Sequence, residues 1–120
     1  DEDMVRVLQI DSELDLDEVT VDIVNQMSAV GPHGMGNRRP VFVTRNVRIA
    51  GDVRELRGGH IKFTVRQDGE RRDVIAYRKA SWRDQLMRIE KMDLVYSPQI
   101  NVWLGNTTVQ LVLSDWKPSV

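Results

Sequence analysis

One stretch of this sequence has the residue types and spacing for binding chemistry. From His60 to Arg66 the chain alternates, with Ile61, Phe63 and Val65 apolar and His60, Lys62, Thr64 and Arg66 polar. Period-two alternation is the pattern of a half-buried strand, so the four polar residues share one outward face. A cationic row of this kind can track a phosphate backbone, and aromatic rings beside it can stack on bases. Arg45, Arg48, Arg78 and Lys79 fall on neighbouring strand segments, while Tyr77 and Trp103 are candidate stacking groups. The alternative is a surface that Arg and Lys merely keep soluble, with Tyr77 and Trp103 packed into the wall. Residue types alone leave both readings open. Trp82 and Trp116 read as packing groups.

Catalytic constellations are missing from the sequence. His33 and His60 are the only histidines and stand in no cluster of metal-ligand spacing. There are no cysteines, which excludes a disulfide scaffold, a thiolate zinc site and a cysteine nucleophile. Neither a Ser-His-Asp order nor a Gly-x-Ser-x-Gly elbow occurs. Gly34-Met35-Gly36-Asn37 invites reading as a phosphate cradle, but it follows a helix, precedes a strand and lacks the lysine. It reads as a turn. Asn106-Thr107-Thr108 matches a glycosylation acceptor, which carries little meaning inside a cell.

Charge sharpens the case. The net formal charge is −1, yet residues 1–30 hold nine acids against one base, a balance of −8. Residues 31–120 hold sixteen bases against nine acids, a balance of +7. Thirteen of the seventeen bases are Arg, whose planar fork suits phosphate and base edges. A polyanion is therefore the first partner to consider. The 120 residues make one ordinary domain, and no apolar run is long enough to span a bilayer. The chain opens on Asp1 and is expected to be a piece of a longer protein, resident in the cytoplasm.

The elements that must position these residues follow from periodicity. Val5 to Ile10 reads as a short strand. Asp15-Leu16-Asp17-Glu18 has the form of a capping box, and Leu16, Val19, Ile23, Met27 and Val30 make a helical stripe behind it. Asp17, Glu18 and Asp22 sit at the helix start, where the dipole favours anions. Gly31 to Asn37 is a breaker-rich connection. Pro40 to Ala50 is a strand with Val41, Val43, Val47 and Ile49 on one face, and Arg45 breaks that face, which points to a bulge or a local change of environment. Gly58-Gly59 is a turn, and Asp68-Gly69 is a hairpin signal before the strand Arg72 to Arg78. Ser81-Trp82-Arg83-Asp84 reads as a second capping box on a helix of about ten residues. Leu94 to Leu104 alternates with Leu94, Tyr96, Ile100, Val102 and Leu104 on one face. Gly105-Asn106 turns the chain, and Thr107 to Leu113 places Val109, Leu111 and Leu113 inward. The layout is mainly β: a five-stranded OB-fold Greek-key barrel with a short helix between strands 3 and 4, preceded by a short strand and an α-helix. The expected division is a leader over 1–37 and an OB-fold nucleic-acid-binding domain over 38–120.

Several segments together resemble the C-terminal OB domain of the RecJ family, bacterial exonucleases specific for single-stranded DNA. They are Ile10 to Leu14, the turn Gly31 to Arg38 with Arg39-Pro40-Val41-Phe42 after it, His60-Ile61-Lys62, Asn101 to Gly105, Gln110-Leu111 and Asp115. His33 and Arg38 depart from the Phe and Pro usual at their positions. The resemblance covers nearly the whole chain. It implies a single-stranded-DNA-binding OB domain that guides the strand to an upstream catalytic core degrading DNA 5′ to 3′ in recombination and repair. Mg²⁺ or Mn²⁺ is implied for the parent enzyme and no cofactor for this fragment, which lacks the family's Asp-His-His motifs. DNA contacts would come from Arg38, Arg39, Arg48, Lys62, Arg66 and Arg78, with Tyr77 or Trp103 stacking. The implied partners are single-stranded DNA, the catalytic domains of the same chain and single-strand-binding protein, with no membrane. Two other readings stay open: a module that braces the catalytic domains or docks single-strand-binding protein without touching DNA, and an RNA-binding OB domain.

Overall fold

A computed structural model describes residues 10–30 and 39–120, the side chains of 28–30 excepted. The Gly-rich turn with His33, the cation Arg38 and all but Ile10 of the expected first strand lie outside the described residues. Two-residue strand β1 (Ser12–Glu13) and a 3₁₀ turn (Leu16–Glu18) lead into helix α1 (Val21–Val30). Strands β2 (Phe42–Leu56), β3 (His60–Gln67) and β4 (Glu70–Ala76) follow. A 3₁₀ turn (Ala80–Trp82) and helix α2 (Arg83–Arg88) then precede β5 (Met92–Trp103) and β6 (Asn106–Pro118).

The strand order is β1-β2-β3-β4-β6-β5, and β2 also pairs with β5, which closes β2 to β6 into a five-stranded barrel. The pairings are antiparallel except β4 with β6 and β1 with β2. With α2 between the third and fourth barrel strands, this is the OB-fold.

Strand β2 serves two neighbours within the barrel. Residues 42–47 pair with β5 and residues 48–56 with β3, so the strand must bend between them. The bend is a bulge in which Arg45 and Asn46 together oppose the single residue Asp93, and Asn46 is left-handed at φ 59°. Asp93 is buried, and its carboxylate accepts from Asn46 N–H at 3.0 Å, Ser119 Oγ at 2.6 Å and Arg45 Nη1 at 3.1 Å. Burial opposes its ionisation, but the bonds from Ser119 and Asn46 and the charge of Arg45 outweigh that and hold the carboxyl below its ordinary value. A second irregularity follows between Ala50 and Arg54, with Gly51 at φ +87°. Its loose backbone groups are taken up by α2: Arg83 Nε donates to the Val53 carbonyl at 2.8 Å, and Val53 N–H donates to Met87 Sδ at 3.4 Å.

The bulge expected at Arg45 is present, but it reverses the phase of the strand. Phe42 and Thr44 point inward before it and Val47 after it, so the expected inward face through Val41 and Val43 is corrected. Phe42 meets Tyr96 edge-on at 6.2 Å between centroids, and Tyr96 Oη bonds Thr44 Oγ1 at 2.6 Å. Burial pushes the Tyr96 phenol up to about 12. Ile61, Phe63, Val65, Val74, Leu94, Leu111 and Leu113 complete the interior as the alternation predicts.

Further expectations change. The leader stripe is not one helix: the chain breaks at Val19–Thr20, and α1 starts afresh with Thr20 Oγ1 accepting from Ile23 N–H at 3.2 Å. The Asp15/Glu18 box caps only the 3₁₀ turn, Glu18 accepting from Asp15 N–H at 2.8 Å. Ser81 caps nothing; α2 begins after Trp82, without a side-chain cap, and runs six residues. On β5 the inward face ends at Ile100, because Val102 and Leu104 are 69% and 83% exposed on a hairpin extending past the barrel wall. The turn there is Leu104-Gly105, both at positive φ.

The leader is fastened across one end of the barrel. Asp11 N–H donates to the Val41 carbonyl at 2.7 Å and Leu14 N–H to that of Val43 at 2.9 Å. Gln67 bridges Leu16 N–H, which it accepts at 2.8 Å, and the Arg45 carbonyl, to which it donates at 2.6 Å. Arg72 points inward on β4 and donates to the carbonyls of Leu16 at 3.0 Å and Val19 at 3.2 Å. Leu16 and Val19 are fully buried in the same core.

Because the folded Asp93 carboxyl lies below its ordinary 3.8, its stabilising effect is fully present above that pH and is lost as pH falls through the lower folded value. Asp93→Asn is expected to cost about 2 kcal/mol at neutral pH and to flatten this acid dependence. Circular-dichroism melts of both proteins from neutral to acid pH check it; parallel curves would refute the assignment.

Candidate nucleic-acid interface

The outward face of β3 is built as the alternation predicts, but strand register adds to it. The two-residue turn Asp68-Gly69 pairs Gln67 with Glu70, which places Arg71 opposite Arg66. On the other side Arg66 pairs with Arg48. Arg48, Arg66 and Arg71 therefore form one cross-strand row of like charges. Glu90 answers Arg48 at 3.0 Å, while among the described residues neither Arg66 nor Arg71 has an acidic partner at ion-pair distance. The turn Arg57-Gly58-Gly59 likewise pairs Leu56 with His60 and sets Arg54 opposite Lys62. Like charges directly across a ladder oppose folding. The row of three is followed on the same face by the rung Ala50–Thr64–Asp73, which carries an acid, and then by the like-charged pair Arg54 and Lys62, so positive charge gathers at both ends of the face.

Tyr77 and Arg78 lie at the other end of this face. Strand β4 ends at Ala76, and Arg78 is left-handed at φ 59°. Its N–H donates to His60 Nδ1 at 2.9 Å, and Tyr77 stands edge-on to the His60 ring at 5.2 Å between centroids. A side chain at Gly58 would reach within 3.0 Å of His60 Nε2, so glycine there leaves room for the histidine. His60 is thus a positioning group that fixes the turn presenting Tyr77, which is 48% exposed. Lys79 stacks on Trp82 with Nζ 4.9 Å from the ring centroid, and Trp82 meets Trp116 edge-on at 6.3 Å. Both tryptophans are packing groups, as their sequence context suggests.

Trp103 is 73% exposed near the tip of the β5–β6 hairpin, between Val102 and Leu104. It shares the outward side of that hairpin with Asn101, because Asn101 pairs with Thr108 and Trp103 with Asn106. Between hairpin and barrel lies a groove of about 600 Å³, lined by Lys62, Thr64, Arg71, Asn101, Thr108 and Gln110 among others.

The structure does not bring all the sequence candidates together. Arg48, Lys62 and Arg66 share the β2–β4 face, Tyr77 and Arg78 border it, and Trp103 stands on the hairpin two residues past Asn101, which lines the groove. Arg39 is exposed but precedes the part of β2 that pairs with β5 and β1, away from that face. Arg45 is occupied by Glu13 at 3.1 Å and Asp93 at 3.1 Å, and these contacts, Glu13 first, raise its already high pKa. It belongs to the bulge. Arg71 and Arg54 escape a residue-by-residue reading, although the lengths of the two turns carry the signal.

Comparison with known proteins agrees with the fold. The RecJ OB domain family matches residues 10–115. The chain is 25% identical over 117 residues to the single-stranded-DNA-specific exonuclease RecJ of Bacillus subtilis, covering 96% of this chain and 15% of that protein. It therefore spans about a seventh of the length of that relative. Crystal structures of RecJ from Thermus thermophilus superpose with TM-scores of 0.64 for the Mn²⁺ complex and 0.53 for the Mg²⁺ complex. Their identities are 20% and 21%, over 94% and 82% of this chain and 16% and 15% of those chains. No helix among the described residues is long and apolar enough to cross a membrane.

Arg66→Glu should turn the like-charge row into two opposite-charge pairs and raise stability by about 0.5 kcal/mol at low salt, an effect that salt screens. Urea unfolding at low and high ionic strength checks this; a destabilised variant would show that the row is not strained.

Proposed function

This chain belongs to the RecJ OB domain family, and we propose that it is a single-stranded-DNA-binding module of a RecJ-like exonuclease. The observation that carries the reading is the row Arg48–Arg66–Arg71 with Lys62 and Arg54 on the same face. Phosphates spaced along a strand neutralise that row without bending the barrel. Tyr77 and Trp103, both exposed, supply rings on which bases stack. Arg78 adds a charge at the Tyr77 end. Arg38 and Arg39 are assigned a lesser part in this reading.

In the parent protein the module would hold the strand and lead it to an upstream core that hydrolyses it 5′ to 3′ in cytoplasmic recombination and repair. The leader over 1–37 would join that core to the barrel over 38–120. A divalent metal belongs to that core in this proposal. Among the described residues the three grouped acids are Asp15, Asp17 and Glu18, all exposed, and Glu18 already accepts from Asp15 N–H. That set satisfies the start of a 3₁₀ turn and does not fit a catalytic metal centre, so no step is routed through a metal here.

A second reading rests on a separate observation. Val102, Trp103 and Leu104 present a contiguous apolar tip to water, and such a tip suits a protein partner, including single-strand-binding protein or the catalytic domains. Charge reversal separates the two. On single-stranded DNA, the slope of log affinity against log salt should be about −3 for four to five phosphate contacts. Lys62→Glu with Arg66→Glu should abolish that binding in fluorescence anisotropy while the fold persists. Retained DNA binding with loss of a protein partner would favour the second reading, and tighter binding to RNA than to DNA would redirect the first.

A further inference from the structure

The β4–β6 ladder runs through Asp73–Gln110, Val74–Leu111 and Ile75–Val112 and then stops. Beyond it the strands part, and Arg71 and Thr108 line the opening between them, the groove of about 600 Å³. That size lies within the range of small-molecule sites and exceeds what a lone phosphate needs. On the strand side the lining holds the cations Lys62 and Arg71 and the neutral polar groups Thr64, Asn101, Thr108 and Gln110, while Val19 and Val21 of the leader make an apolar wall. Asn101 Nδ2 donates to Gln110 Oε1 at 3.0 Å. The bond ties the two amides together and leaves Asn101 Oδ1 to accept and Gln110 Nε2 to donate. Every nucleobase carries a donor next to an acceptor on its pairing edge. Asp73 also lines the groove, with one oxygen taken by Thr64 Oγ1 at 2.9 Å. Its other oxygen suits an amino group and repels phosphate, and because register sets Asp73 between Arg71 and Lys62, it confines the phosphate to the Arg71 end.

We propose that this groove is a subsite for one unstacked nucleotide. The base enters where β4 and β6 part, with its edge on the Asn101–Gln110 pair and its phosphate on Arg71. The proposal rests on the single-stranded-DNA reading and deepens it, since part of the affinity then comes from a base held by its edge rather than from phosphate alone. Trp103, on the same side of the hairpin, stacks the neighbouring base.

The test compares this 120-residue chain with Thr108→Trp, which fills the groove from an exposed strand position, and Asn101→Ala, which removes half of the amide pair. Probes are a fluorescent oligodeoxycytidylate and an abasic strand of the same length, about 12 nucleotides, titrated by anisotropy, with melting curves confirming the fold. Both variants should lose about fivefold or more in affinity for the cytidylate and stay within about twofold of the unaltered chain on the abasic strand. Unchanged cytidylate binding, or equal loss on both probes, overturns the subsite. If the unaltered chain binds both probes equally, the DNA reading stands and the subsite alone falls. If it binds neither, both fall.

Discussion

The barrel depends on one strand pairing with two partners. Strand β2 must face β5 over its first half and β3 over its second, and a regular strand of that length cannot do both. The extra residue at Arg45–Asn46 supplies the turn, and Asp93 supplies the bonds that make a left-handed asparagine tolerable there. Closure, the position of β3 beside the second half of β2, and hence the cross-strand row Arg48–Arg66–Arg71 all follow from that bend. The same logic recurs at the second irregularity, where Arg83 and Met87 of α2 satisfy what the ladder leaves unpaired. In this way α2 completes the wall as well as covering it.

The arginines fall into two groups by what faces them. Arg45, Arg72 and Arg83 are spent on carboxylates and carbonyls and hold the structure together. Arg66 and Arg71 meet other arginines across the ladder. Electrostatic cost in a free protein is compatible with selection for a charged ligand, which relieves that cost on arrival. The net charge of −1 conceals this, because the acids sit mainly in the leader.

Most of the barrel was legible in the sequence because period-two alternation and Gly-containing turns report local geometry directly. The strand from His60 to Arg66, the Asp68-Gly69 hairpin and the inward set Val109, Leu111 and Leu113 are found where those signals put them. Failures occur where geometry stops being local. Counting by twos through Arg45 makes Val41 and Val43 the inward pair, since a bulge exchanges faces for every residue on one side of it. The apolar stripe from Leu16 to Met27 concealed a break, because spacing of three residues suits a 3₁₀ turn as well as an α-helix. Val102 and Leu104 keep the inward phase but extend past the wall, and nothing in their neighbours marks where the wall ends. Arg71 was legible in principle through the length of one turn. The groove was not, since it arises from two strands distant in sequence ceasing to pair.

The fastened leader has a mechanical consequence. Between Asp11 and Val19 the chain is tied in turn to β2, to Gln67 at the end of β3 and to Arg72 on β4, with Leu16 and Val19 sunk in the core between these ties. A segment held at several points along its length cannot act as a swivel. Torque applied through it is carried into the barrel as a whole, so the cationic row keeps a fixed heading relative to the leader and turns when the leader turns.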